Sequence, residues 1–319
     1  MTAMTICRLL DGTEDYQAIL MEGAVIERIR RETHLKLDPH VLNTALIYER
    51  EGRLAMARIY AQYIEIALGY KIPILMAAPT WRANPERVEK ASLGDAEAVN
   101  RDAVAFMKEV CAPYGKSRTP ILIGGLMACR GDAYKPGEAL DSHAAEIFHR
   151  LQARSLAEAG VDYIMAATLP VFSEALGLAR ALSAQPVPYI ISFVINDRGG
   201  LLDDTPLIDA IEEIDRSVDP KPCGYMVNCV HPNTLVSGLD SLLSGPGRLR
   251  DRLIGIQANT SEKPPHELDG AASLQSIAPE PFADAMADLH HRYQMRILGG
   301  CCGTDQRHIE AVARRISTR

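Results

Sequence analysis

AEIFHRLQARSLAEAGVDYIMAAT, Ala145 to Thr168, carries two structural signals in one segment. Up to Ala159 the apolar residues return every three or four positions, as on one side of an amphipathic helix. Gly160 stands where such a helix should stop. Val161 to Thr168 then runs almost wholly apolar, as expected of a parallel strand buried on both faces. Helix, glycine stop and buried strand together make the repeating unit of an α/β fold.

Outward from this segment the same alternation recurs. Short runs rich in aliphatic and β-branched residues are CRLLDG (Cys7 to Gly12), IPILMAAP (Ile72 to Pro79), PILIGGL (Pro120 to Leu126), PYIISFVI (Pro188 to Ile195), GYMVNCV (Gly224 to Val230), RLIGIQAN (Arg252 to Asn259) and MRILGGCCG (Met295 to Gly303). With Val161 to Thr168 they make eight. Helical periodicity returns between them, at Leu54 to Leu68 and Phe282 to Tyr293, and Pro170 and Pro206 sit near helix starts, where a missing amide proton does little harm. Eight strand-then-helix units in 319 residues fit a closed (β/α)8 TIM barrel better than an open sheet. No Pro/Ser/Gly-rich linker divides the chain, so a single domain over residues 1–319 is expected. The longest polar, proline-bearing loop, Thr260 to Pro281, follows the seventh strand and belongs to the face where barrel active sites are built.

Composition narrows the function classes. Charged residues are 24% and hydrophobic ones 47%, ordinary for a globular protein. A net charge of −7 without a long basic run offers no footprint for a phosphate backbone, which argues against a nucleic-acid partner. No segment stays apolar for the roughly 18–20 residues of a bilayer span, and the start lacks a basic region followed by an apolar core. No membrane association and a cytoplasmic location are expected. Seven cysteines, an odd number without a paired framework, read as reduced thiols.

Three of those thiols fall at strand ends. Cys229 closes the sixth strand and Cys301 and Cys302 close the eighth, all at the mouth of the expected barrel. Adjacent strand residues point to opposite faces, so Cys301 and Cys302 reach one ion only if the backbone turns there, and Gly299, Gly300 and Gly303 permit such a turn. Three cysteine ligands leave one tetrahedral position of a Zn2+ ion open, the arrangement of a catalytic site. An ion carrying three thiolates is a mild Lewis acid; it suits holding a fourth sulfur as thiolate, a ready nucleophile toward an activated methyl group. The alternative is three buried thiols packed as small hydrophobes, which does not account for a glycine-flanked pair at a strand end. Cys7, Cys111, Cys129 and Cys223 have no such setting and are expected to pack.

The stretches MVNCVHP and ILGGCCGTDQRHIEAV resemble the pattern of homocysteine S-methyltransferases, and looser similarity extends over TWRANPERV, NRDAV, LAEAGVDYIM and GLLDDTPL. The resemblance implies a TIM barrel, zinc on Cys229, Cys301 and Cys302, and methyl transfer to a thiol such as homocysteine. The chain lacks room for cobalamin or folate domains, so the expected donor is a small onium compound of the S-methylmethionine, S-adenosylmethionine or betaine type, with small molecules as the partners. Ala166-Ala167-Thr168 stands where the family shows an acid that binds the amino group of homocysteine, and Asp204 stands where it shows glycine. These departures keep two alternatives open: a different thiol acceptor, or a zinc-binding barrel module without transferase activity.

Other substrate-site candidates are Asp11 and Gly12, matched to the family's opening element, Trp81, a cation–π platform for an onium donor, Thr168, and Asn228 and Asn259 as hydrogen-bonding groups. Packing, turn or loop-fixing roles remain the alternative for each. His231 is expected to be a loop histidine, because a fourth protein ligand would close the metal site.

Overall fold

A computed structural model describes residues 6–10, 16–243, 251–261 and 277–317. Eight parallel strands close into a barrel in the order β1-β2-β3-β4-β5-β6-β7-β8. They are β1 Ile19–Met21, β2 Ile74–Ala77, β3 Ile121–Ala128, β4 Tyr163–Leu169, β5 Tyr189–Phe193, β6 Gly224–Val230, β7 Leu253–Ala258 and β8 Ile297–Gly300. Seven coincide with the expected runs. The first does not: Ile6–Leu10 is a helix, α1, and the barrel opens instead with Ile19–Met21. Ile6 and Leu9, three residues apart as on one helix face, plug the barrel interior beside Ile19 and Met21. The first strand is thus Ile19–Met21 and not the CRLLDG run.

Strand alternation sorts the core into two layers. Ile19, Met21, Leu75, Leu122, Tyr163, Met165, Ile190, Met226 and Ile297 fill the barrel interior. Leu20, Ile74, Met76, Ile164, Ile191, Val227 and Leu298 face the surrounding helices. Gly124 makes room inside: a Cβ there would lie 2.2 Å from the Tyr163 ring.

The helices include α2 Ile26–Glu32, α3 Arg50–Tyr70, α4 Pro85–Lys90, α5 Ala96–Cys111, α6 Ser142–Glu158, α7 Phe172–Ser183, α8 Leu207–Ser217, α9 Pro232–Leu243, α10 Pro279–Tyr293 and α11 Gln306–Ile316. Gly160 takes φ +71° just after α6, as its position before β4 predicts. Asp204 adopts φ +64°, the left-handed conformation that suits the glycine of the family pattern. Pro206 caps α8. No described helix is long and apolar enough to cross a membrane.

One cysteine expectation is corrected. Cys7 and Cys223, read as reduced packing thiols, form a disulfide that ties α1 to the start of β6 at the base of the barrel. Neither strand pattern nor spacing signals it, because the contact depends on α1 folding under the barrel. Cys111 and Cys129 are free and buried, as expected, and burial pushes both thiols up to about 12. Most of the Thr260 to Pro281 loop lies outside the described residues.

Candidate metal centre and substrate cavity

Two β-bulge-like irregularities at the barrel mouth build the site. In β6 the pairing with β7 shifts between Asn228 and Val230, and Cys229 between them adopts φ +58°. A left-handed conformation in a residue with a Cβ costs about 1–3 kcal/mol and persists only where neighbours hold it. Here Asn259 does so, its Nδ2 donating to the Cys229 carbonyl at 2.9 Å while its N–H donates to the Val230 carbonyl at 3.0 Å. The bend re-aims the Cys229 sulfur towards β8.

After Gly300 the chain turns over Cys301 and Cys302. Thr304 closes the turn, its N–H and hydroxyl both donating to the Cys301 carbonyl at 3.2 and 2.6 Å. Gly303 sits at φ +84°, and a Cβ on Gly300 would meet the Thr304 hydroxyl at 2.3 Å. The glycines therefore do what the sequence requires of them, bringing neighbouring cysteines to one side. The Cys229 and Cys301 sulfurs stand 2.8 Å apart, those of Cys301 and Cys302 4.0 Å apart, and all three ligand atoms lie within 4.8 Å of one another.

The donor set fits zinc: three soft sulfurs from two strand ends, with a cavity on the open side. Hydrogen bonds from the Cys301 and Cys302 thiols hold the Cys229 sulfur well below the ordinary thiol range, while donating that bond to Cys229 raises Cys301. A divalent cation bound among these sulfurs would displace their protons.

Asn228 organises the neighbourhood from a buried position. Its Oδ1 accepts from the Thr168 N–H at 3.0 Å and the Ser192 hydroxyl at 2.7 Å, and its Nδ2 faces the Cys229 sulfur at 3.4 Å. Thr168 lies at the β4 irregularity with φ +57°, and its hydroxyl accepts from Trp81 Nε1 at 3.1 Å. The cation over the Trp81 ring is the guanidinium of Arg82, 4.5 Å from the ring centroid. His231 is buried and its Nδ1 accepts from the Asn233 N–H at the start of α9, so it stands apart from the cysteine cluster.

A cavity of about 640 Å3 opens over the sulfurs, lined among others by Trp81, Thr168, Asn228 and Asn259. Asp11 and Gly12 lie outside the described residues. The acid at the end of the true first strand is Glu22, which sequence reading missed because it placed that strand too early. Glu22 lines the cavity and accepts from the Ala77 N–H at 3.2 Å through both oxygens, and burial pushes its carboxyl up to about 8. Tyr134, in the loop after β3, was also missed; it lines the same cavity, and the charge on the Cys229 sulfur is the main cause of its raised pKa. The loop is held by Glu174, which accepts from the Arg130 and Leu140 N–H groups at 2.7 and 3.3 Å and meets His149 Nε2 at 3.0 Å. No spacing links Tyr134 to the cysteines, and only the folded loop brings it there.

A profile of the homocysteine S-methyltransferase family matches residues 19–316. The chain belongs to that family. It is similar to the homocysteine S-methyltransferase YbgG of Bacillus subtilis, 28% identical over 193 residues, 59% of this chain and 58% of that protein. It is also 28% identical over 195 residues to a homocysteine S-methyltransferase of Escherichia coli, 60% of this chain and 59% of that one. In both comparisons the match spans less than two thirds of the relative. The fold resembles the Escherichia coli homocysteine methyltransferase MmuM in its metallated form, at TM-score 0.72 and 20% identity, covering 96% of this chain and 98% of that one. The family match begins at Ile19, which agrees with β1 and not with the earlier run.

Proposed function

We propose that the protein is a zinc-dependent S-methyltransferase that moves a methyl group from a small onium donor to a thiol, homocysteine being the acceptor favoured by family membership. The carrying observation is the convergence of Cys229, Cys301 and Cys302 beside one cavity at the mouth of the barrel. Zinc bound by these residues would hold an acceptor sulfur as thiolate at neutral pH. The thiol proton goes to solvent, the acceptor sulfur forms its bond to the methyl carbon, and the donor's bond to that carbon breaks to release a neutral thioether or amine. The chain's own groups position the reactants. Asn228 Nδ2 fixes Cys229, and Asn259 holds the strained backbone beneath it. Glu22, protonated by burial when alone, lines the same cavity and would offer a carboxylate to an incoming ammonium group that Ala167 cannot meet.

The test is metal content and turnover together. Purified protein should bind one zinc per chain, cobalt substitution should give the absorption of a thiolate-rich site, and homocysteine should gain a methyl group from one member of a panel of S-methylmethionine, S-adenosylmethionine and betaine. Stoichiometric metal with no transfer from any donor would replace this reading with that of a zinc-binding barrel module. Absence of metal would remove both.

A further inference from the structure

Arg82 lies just after β2 and lines the same cavity as the cysteines and Glu22. Its side chain is half-buried and poorly satisfied. Nε is buried with no hydrogen-bond partner, and Nη1 reaches only the Gly131 carbonyl, at 3.5 Å. No carboxylate stands within ion-pair distance among the described residues. Asp132, whose charge acts on it, accepts from the Tyr134 N–H at 3.0 Å and lies 3.7 Å from Lys135. Burial and the like charge of Arg87 press on the guanidinium, lowering its pKa without displacing the charge.

The group is nevertheless fixed in place. It stacks on Trp81, whose Nε1 bonds to Thr168, whose N–H in turn bonds to Asn228 beside Cys229. Tyr134 interacts electrostatically with both Arg82 and Cys229. A positioned cation without a counter-ion, facing a cavity, is an anion site in waiting, and a planar guanidinium matches a carboxylate. Arg30, exposed on the rim, adds positive charge there, whereas Arg31 is paired with Glu27 at 3.0 Å.

We propose that Arg82 is a specificity-determining residue that receives the carboxylate of the thiol acceptor. This rests on the thiol-alkylation reading only in locating the acceptor next to the cysteines. With Ala167 in place of an acid, the cavity distinguishes thiols by their acid group at least as strongly as by their amino group.

Three thiols with matched spacing from sulfur to each polar group separate the two: homocysteine, 4-mercaptobutanoate, which lacks the amino group, and 3-aminopropanethiol, which lacks the carboxylate. Their binding to zinc-loaded protein is measured calorimetrically without a donor, so the result does not depend on turnover. Wild type should bind both acids at least tenfold more tightly than 3-aminopropanethiol. Arg82→Gln should weaken the acids by about ten- to a hundredfold and leave 3-aminopropanethiol within about threefold, while Arg82→Lys keeps part of the difference. In turnover the same loss should appear in KM for homocysteine, with kcat little changed. Failure of wild type to prefer the acids overturns the assignment even if the variants misfold. Equal weakening of all three thiols overturns it too, as does loss of affinity confined to a carboxylate-bearing donor. Tight, Arg82-dependent binding of the acids without methyl transfer would sink the proposed reaction and leave the carboxylate site standing.

Discussion

Asn228→Ala isolates the polar brace behind the candidate metal centre. The substitution removes the acceptor of two buried donors, the Thr168 N–H and the Ser192 hydroxyl, and the Nδ2 group facing the Cys229 sulfur. An unsatisfied buried donor costs about 1–3 kcal/mol, so two amount to about 2–6 kcal/mol if the vacated space collapses, less if water enters. At about 2.1 cal/mol/K per residue, 319 residues lose about 0.7 kcal/mol of stability per degree near the midpoint, which converts that cost into a fall of roughly 3–9 °C in Tm. Ser192→Ala in the same background deletes one stranded donor. The double variant should therefore be more stable than Asn228→Ala by about 1 kcal/mol, a coupling that a merely additive pair would not show. The lost contact to Cys229 should lower zinc affinity about 10–100-fold, the usual effect of removing a group that orients a metal ligand. Differential scanning calorimetry of the metal-free proteins and zinc competition against a chromophoric chelator read the two effects separately. The reasoning fails if Ser192→Ala restores nothing, or if zinc affinity is unchanged while stability falls.

Three further outcomes follow from other parts of the structure. Cys301→Ser should abolish stoichiometric zinc binding measured by elemental analysis, because it leaves two sulfurs and a weak hydroxyl, whereas Cys129→Ser, at a buried thiol outside the cluster, should keep it. Glu22 is raised from 4.5 to about 8 by burial, so between those values the folded chain holds a proton that the unfolded chain releases; its contribution is fully present below pH 4.5 and is lost as pH rises through 8. Glu22→Gln should remove that slope, gaining on wild type by about 1.4 kcal/mol per pH unit within the window, and denaturant titrations of metal-free protein at pH 5 and 8 that change in parallel would contradict it. Gly124→Ala should cost about 1–3 kcal/mol, since its Cβ would fall 2.2 Å from the Tyr163 ring in the packed barrel interior, and an unchanged Tm would show that the ring can move aside.

How much of this was legible before folding depends on how local each signal is. Parallel strands buried on both faces announce themselves as apolar runs, so seven of the eight barrel strands fall where the sequence places them, and the Gly-Gly-Cys-Cys-Gly run carries its turn with it. The first strand was missed because Ile19–Met21 is only three residues long, whereas Ile6–Leu10 is equally apolar and is separated from a strand only by the spacing of Ile6 and Leu9 on one helix face. That slip concealed Glu22, the acid that ends the strand. Arg82 and Tyr134 were illegible for a different reason: an arginine or tyrosine in a loop is ordinary until the fold denies it a partner or sets it against a cysteine. The polar chemistry of the cavity therefore lies in long-range relations, Trp81 to Thr168 across 87 residues and Thr168 to Asn228 across 60, which no local pattern encodes. The candidate metal-binding cysteines could be read because strand ends in a barrel share one rim whatever their separation in sequence. The residues proposed to choose the substrate could not, because their partners are set by the bends at Thr168 and Cys229, where the strand pattern breaks off.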